Sequence, residues 1–206
     1  MKKQWNAEEK LRYERALLSQ GVKYIAGVDE VGRGPLAGPV VCAAVIMPLD
    51  EESLVIGVDD SKKISEKKRE QLAEEIKKKA LCYTIIEIDE KTIDEINILE
   101  ATKLGMKRAI ETLAISPETV LTDGNMTIDI PHRQFSVIHG DALSYSIGAA
   151  SIIAKVYRDK LMDEFAKEYP YYAFEKNKGY GTAVHIQGIK EYGLCPIHRR
   201  TFTKKF

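Results

Sequence analysis

Tyr24-Ile25-Ala26-Gly27-Val28-Asp29-Glu30-Val31-Gly32-Arg33-Gly34-Pro35-Leu36-Ala37-Gly38-Pro39-Val40-Val41-Cys42-Ala43-Ala44-Val45-Ile46-Met47 is the stretch that decides the fold. Tyr24 to Val31 is strand-like, and Val40 to Met47 is a run of small and β-branched residues suited to a buried strand. The segment between them, Gly32 to Pro39, is rich in glycine and proline, and the two runs lie close enough in the chain to pair antiparallel. Two acids, Asp29 and Glu30, interrupt the first run just before its glycine turn.

Working outward, Glu8 to Leu18 reads as a short amphipathic helix ended by Gly21. Leu54 to Val58 suggests a third short strand. Ser65 suits the N-cap of a helix reaching Ala80, with Leu72, Ala73, Ile76 and Ala80 on one face. Leu81 to Ile88 is strand-like, and Thr92 to Leu113 is helical with Ile93, Ile96, Leu99, Leu104, Ile110 and Leu113 as its apolar side. Thr119 to Thr122 and Phe135 to Ile138 are short strands. Ala142 to Tyr169 is mostly helical and stops at Pro170, and a last helix spans Ala183 to Tyr192. Strands that come first and then alternate with helices argue for an α/β protein, a mixed β-sheet flanked by helices.

The acids sit where such a sheet builds its site, at the ends of apolar strands. Asp123 follows Thr119-Val120-Leu121-Thr122 and precedes Gly124; Asp141 follows Phe135 to Gly140 and opens a helix. A turn accounts for Asp123 alone, and an N-cap for Asp141 alone. Three such placements in one chain point to a cluster. Clustered carboxylates repel at neutral pH unless a cation lies among them. Oxygen-only ligands suit Mg²⁺ or Mn²⁺ rather than zinc, and a carboxylate cage around two such ions serves in-line phosphoryl displacement. Adjacent strand residues point to opposite faces, so Asp29 and Glu30 share a site only if the strand ends there or Glu30 reaches round.

Gly32 to Gly38 is neither a dinucleotide fingerprint nor a P-loop: its third glycine falls one residue late and no Lys-Ser/Thr follows. Beside Asp29 and Glu30, the glycines Gly32 and Gly34 let backbone groups approach a ligand closely, as in reading a ribose 2′-hydroxyl, while Arg33 suits a phosphate. Asp60-Ser61-Lys62-Lys63-Ile64-Ser65 enters a helix with hydroxyls, lysines and free amides suited to a phosphate backbone. Tyr180, in the mobile-looking loop Lys178-Gly179-Tyr180-Gly181-Thr182, is either a core ring or one free to stack on a sugar or base.

Equal numbers of basic and acidic side chains, 31 each, exclude a crude polycation, so any nucleic-acid contact depends on where charge is placed. Lys62, Lys63, Lys67, Lys68 and Arg69 form one basic cluster. Lys176, Lys178, Arg199, Arg200, Lys204 and Lys205 crowd the C-terminal end. Three cysteines without a CxxC pair fit a reducing compartment, with Cys42 and Cys82 as core thiols. Met1 to Arg15 lacks the apolar run of a signal peptide. Pro39 to Leu49, the longest apolar stretch, is shorter than the roughly 20 residues of a membrane helix. A soluble, cytoplasmic protein is expected.

Ala26 to Val40 closely resembles the opening motif of bacterial type 2 ribonuclease H, ribonuclease HII. The resemblance continues through Asp60-Ser61-Lys62-Lys63, Asp123-Gly124-Asn125, Gly140-Asp141, Ala149 to Val156 with Arg158-Asp159, Lys178 to Thr182 and His198 to Phe202. It implies a ribonuclease H-like fold over residues 23–206, with a small helical C-terminal region and a helical extension at 1–22. It also implies an endonuclease acting on RNA–DNA hybrids and on single ribonucleotides in duplex DNA; a monomer is expected. Asp29, Glu30, Asp123 and Asp141 match the four metal-binding catalytic acids, with Asp29 bridging two ions. Gly32, Arg33 and Gly34 match the ribonucleotide-reading loop, Ser61, Lys62 and Lys63 the next substrate-binding block, and Tyr180 the tyrosine at the RNA-to-DNA junction. His139, Tyr157 and Thr201 depart from the usual Lys, Thr and Ser. Two other readings use the same residues: a resolvase or integrase core without a 2′-hydroxyl reader, and a non-catalytic binding module.

Overall fold

The computed structural model describes residues 5–206, so the first four residues of the expected N-terminal extension lie outside the described residues. The helix expected over 8–18 is two, α1 (Ala7–Lys10) and α2 (Arg12–Leu18), separated at Leu11. Asn6 caps α1 by accepting from the Glu8 and Glu9 amides. The break divides Lys10, which reaches Asp59, from Glu14, which reaches Ser144.

β1 (Ile25–Val31) and β2 (Val40–Ile46) pair antiparallel, as their spacing predicts. The segment at 54–58 is not a strand. Leu54, Val55 and Val58 are buried, but the open edge of β2 is taken by β3 (Cys82–Ile88), and the Val55 amide donates to the Tyr145 hydroxyl instead. Between them lies α3 (Glu66–Lys79), whose Leu72, Ala73 and Ile76 face the core.

The long helix that follows, α4 (Glu90–Glu111), is kinked at Asn97, which stands at φ 67° and caps the second segment through the Leu99 and Glu100 amides. The kink breaks the helical phase. Ile93 and Ile110 are buried as expected, but Ile96 and Leu99 face outward. β4 (Thr119–Asp123) and β5 (Arg133–Val137) then add in parallel beside β1, giving a five-stranded sheet in the order β3-β2-β1-β4-β5.

Alternation along the strands makes two cores. Val41, Ala43 and Val45 point to the face covered by α3 and by α6 (Tyr145–Glu168), which follows the one-turn α5 (Gly140–Leu143). Ala26, Val28, Cys42, Ala44 and Ile46 point to α4. Each large aliphatic side chain buried there contributes about 1.5–3 kcal/mol. Gly27 sets how closely α6 lies on β1: a Cβ at that position would overlap the Ser146 backbone.

Beyond Pro170, α7 (Phe174–Asn177) and α8 (Ala183–Tyr192) pack with Met162, Tyr172 and Ile197 against Ala37. The helical C-terminal region therefore rests on the glycine-rich turn between β1 and β2. Among the described residues the three cysteines are free, with Cys42 buried but Cys82 only half-buried on the edge strand, and no helix is long and apolar enough to cross a membrane.

Candidate active site

β1 and β4 run parallel with Val28 level with Thr122, so Asp29 and Asp123 follow at the same height where the strands leave the core. Asp123 is the last residue of β4, level with Val137, and its Oδ1 accepts from the Gly140 amide at 2.6 Å. That bond draws the turn carrying Asp141 up to the strand ends. Asp141 is not the cap of the long helix. It is the second residue of α5, and Ser144 caps α6 by accepting from the Ile147 amide, which leaves the Asp141 carboxylate free of that duty.

β1 does not end at the acids; it continues to Val31. Asp29 is level with Ala43 and leans toward α6, where the Ser151 side chain favours its ionised form, while Glu30 is level with Cys42 on the α4 side. The two carboxylates thus leave opposite faces of one strand at its rim and both feel Asp123. Burial, then the charges of Glu30 and Asp123, push the Asp29 carboxyl well above the usual carboxylate range. Burial raises Glu30 against the pull of Arg33, and burial with Asp123 and Asp60 raises Asp141. Lys62 answers this charge: although burial opposes it, Asp141, Asp29, Asp60 and Asp123 together raise its pKa.

Among the described residues no group of three or more His, Cys, Asp or Glu side chains is gathered closely enough to enclose an ion as it stands. The donor set nevertheless fits Mg²⁺ or Mn²⁺. All four groups are carboxylates, three of them are held above their usual pKa by burial and mutual repulsion, and Glu30 Oε2 is a buried oxygen with no hydrogen-bond partner. A divalent cation relieves both conditions.

The glycine loop is clamped from below by two fully buried arginines. Arg199 donates to the carbonyls of Gly32, Arg33 and Gly38, at 2.6, 2.9 and 2.7 Å. Arg158 donates to Pro39 at 3.0 Å, Ala37 at 3.1 Å and Lys178 at 2.8 Å. Gly32 stands at φ +93°, and a Cβ there would collide with the Arg158 guanidinium, so the clamp and the glycine require each other. Gly34 is exposed, Arg33 pairs with Glu30 at 3.5 Å, and the Tyr180 ring lies beside Gly34, half-exposed rather than in the core. The loop carrying Tyr180, expected to be mobile, is anchored: the Leu36 amide donates to Gly179, and His185 Nδ1 bonds the Tyr180 carbonyl at 2.9 Å.

The basic clusters divide into exposed and interior side chains. Lys62, Lys63, Lys67 and Lys68 are exposed, but Arg69 is turned inward, donating to the Ser61 and Ile64 carbonyls and pairing with Asp159 at 3.0 Å. Arg199 is likewise interior and is no part of a basic tail. Ser61, expected to offer its hydroxyl to a phosphate, is buried and bonded to Ser151 at 3.0 Å, so it backs the side chain that favours the ionised form of Asp29. Lys63 pairs with Asp60 at 3.3 Å. Arg69, Arg158 and Arg199 as loop holders were beyond sequence reasoning, because a charged residue near other charged residues carries no sign of burial.

A mixed sheet with acids at the rims of its adjacent parallel strands, a helix-borne fourth acid and a rigid glycine loop beside them defines a nuclease of the ribonuclease H-like class. The chain belongs to the ribonuclease HII family: the family model described as Ribonuclease HII matches residues 26–205. It is 54% identical over 200 residues to Ribonuclease HII of Ruminiclostridium cellulolyticum, covering 97% of this chain and 77% of that protein. Ribonuclease HII of Caldicellulosiruptor saccharolyticus is 53% identical over 197 residues, covering 96% and 95%. The crystal structure of ribonuclease H2 from Pyrococcus horikoshii superposes with a TM-score of 0.75 at 28% identity, covering 88% of this chain and 94% of that one. The chain is therefore an enzyme, an endoribonuclease of a metal-dependent family, and the expected ribonuclease H-like fold is present.

Proposed function

We propose that this enzyme hydrolyses the RNA strand of RNA–DNA hybrids and nicks duplex DNA 5′ of single embedded ribonucleotides, leaving 3′-hydroxyl and 5′-phosphate ends and so serving ribonucleotide removal. The observation that carries this reading is the clamped Gly32-Arg33-Gly34 turn at the end of the strand that bears Asp29 and Glu30. A backbone held by two buried arginines presents a fixed set of amides and carbonyls, which suits a 2′-hydroxyl that both donates and accepts. Arg33 and Lys62 flank the acids and suit the phosphates on either side. Asp29, Glu30, Asp123 and Asp141 would hold two Mg²⁺ or Mn²⁺ ions, which supply Lewis-acid stabilisation of the attacking and leaving oxygens. Tyr180, half-exposed beside Gly34, provides a ring face for the sugar or base next to the reading loop.

The test is a DNA duplex carrying one ribonucleotide, incubated with Mg²⁺, Mn²⁺ or EDTA beside an all-DNA duplex. A single metal-dependent nick at the 5′ side of the ribonucleotide is expected; cutting of both duplexes points to a general nuclease, and binding without cutting to a binding module. In the same assay Tyr180→Ala is expected to slow cleavage of the single-ribonucleotide duplex by roughly tenfold, the loss of one base–aromatic stack worth about 1–3 kcal/mol, with an unchanged melting temperature. An unaltered rate removes Tyr180 from substrate recognition.

A further inference from the structure

The helices before β1 are tied to both sides of the site. Trp5 Nε1 donates to the Val58 carbonyl at 2.8 Å. Lys10 is almost entirely buried, and its ammonium donates to Asp59 Oδ1 at 2.6 Å and to the Ala142 carbonyl. Glu14 is buried too, accepting from the Ser144 hydroxyl at 2.6 Å and the Ser146 amide at 2.9 Å. Val58 and Asp59 lead into the loop that carries Lys62, whereas Ala142 and Ser144 flank the turn that carries Asp141. Lys10 is the point at which one charged group touches both.

We propose that Lys10 is a positioning residue for hydrolysis: its ammonium fixes the Lys62 loop against the Asp141 turn and so sets the width of the site on that side. The inference rests on the function proposed above. A buried ammonium is retained only where its charge is paired and its hydrogen bonds are met, and here the two acceptors come from the two walls of the site. The charges of Asp141, Asp29, Asp60 and Asp123 reach Lys62, so the loop's placement decides where a positive charge stands relative to the acids. Charge-assisted bonds of this kind hold geometry more tightly than neutral ones, and small misplacements at a reacting centre are costly.

The experiment measures kcat and KM on the single-ribonucleotide duplex for the full chain and for Lys10→Met, Lys10→Arg, Lys62→Ala and the double variant Lys10→Met/Lys62→Ala. Lys10→Met keeps the buried stem and removes the charge; kcat is expected to fall about tenfold or more with KM changed by less than about twofold. Lys10→Arg is expected to recover most of the rate. The double variant is expected to be no slower than Lys62→Ala within about twofold, because contacts acting through one element are not additive. An unchanged kcat in Lys10→Met, or a loss that multiplies in full on the Lys62→Ala background, overturns the proposal. If Lys10→Met does not fold, Asp59→Ala removes the acceptor on the Lys62 side of the same bridge, and wild-type kcat in that variant overturns it equally. A wild-type chain that cleaves no ribonucleotide-containing duplex overturns the proposed function and this inference with it, whereas an active wild type with an equally active Lys10→Met overturns this inference alone.

Discussion

Replacing Asp29 by Asn is expected to lower the rate of hydrolysis by about 1000-fold or more, a barrier increase of roughly 4 kcal/mol, while raising the melting temperature of the metal-free protein. The two effects have one cause. Asp29 is buried beside Glu30 and Asp123, and its carboxyl is held well above the usual range by desolvation and by their charges. A carboxyl whose folded-state pKa exceeds its unfolded one favours the fold fully below the unfolded pKa, and that contribution is lost as pH rises through the folded pKa. At pH 8, far above the ordinary carboxylate range, the Asp29 carboxyl therefore costs stability, and the neutral amide does not. The amide oxygen still accepts from Glu30 N, now at 2.8 Å from Asp29 Oδ1. A gain near 1 kcal/mol raises the midpoint of a domain of this size by about 2–4 °C. The difference is expected to shrink as pH falls toward the ordinary carboxylate range, where both side chains are neutral. Mg²⁺ or Mn²⁺, binding the folded state only, should raise the wild-type midpoint and raise that of Asp29→Asn far less. Thermal denaturation at pH 8 and pH 5, with EDTA or metal, checks all of this; a metal-free variant that melts below the wild type at pH 8 would contradict the charge-repulsion account.

Arg199→Leu is expected to destabilise the fold by about 3 kcal/mol or more, the cost of leaving several buried carbonyls without a donor. Opposing effects meet here. Burial and the nearby Arg158 push the Arg199 pKa down to about 9, so carrying the charge inside is itself unfavourable. Against this, Gly32, Arg33 and Gly38 would lose their donor, and a buried acceptor left unmet costs about 1–3 kcal/mol. With three carbonyls on one loop the second effect wins. The guanidinium also lies over the Phe202 ring, 5.2 Å from its centroid, a contact that leucine does not replace. Arg199→Lys keeps the charge but not the fork that reaches several carbonyls, so it should fall between the two. Chemical denaturation measures the loss. At a temperature where Arg199→Leu remains folded, discrimination between ribonucleotide-containing and all-DNA duplexes should also weaken, because the reading loop loses its support. Stability within about 0.5 kcal/mol of wild type, the range of an inconsequential surface change, would show that the loop holds its shape without the clamp.

The strands and the acids were largely legible in the chain because each is a local pattern. Asp29, Glu30 and Asp123 punctuate apolar runs, and the runs became β1, which carries Asp29 and Glu30 just before its last residue, and β4, which ends on Asp123. What misled was local pattern without its partners. Leu54, Val55 and Val58 are as apolar as a strand, yet β3 already occupies the edge they would have needed. Ile96 and Leu99 continue a helical stripe that Asn97 interrupts by taking a left-handed conformation. Ser144 divides a helical stretch that looks continuous, and that division is what releases Asp141 toward the site.

Charge was the least readable property. Arg69, Arg199 and the exposed lysines look alike in a list of basic residues, but two of them are interior braces and the others are solvated. Whether a guanidinium faces water or a ring of carbonyls depends on which backbone oxygens the fold leaves without donors, and those come from segments as distant as Gly32 and Arg199. By itself the sequence determined most of the strand and helix types, the rim positions of three acids and the glycine-lined turn, since hydrophobic period and backbone freedom act over a few residues. The tertiary structure decided the strand order, the placement of Asp29 and Glu30 on opposite faces, the arginine clamp and the Lys10 bridge. Each of these is a contact between segments far apart in the chain, made only once the sheet has brought them together.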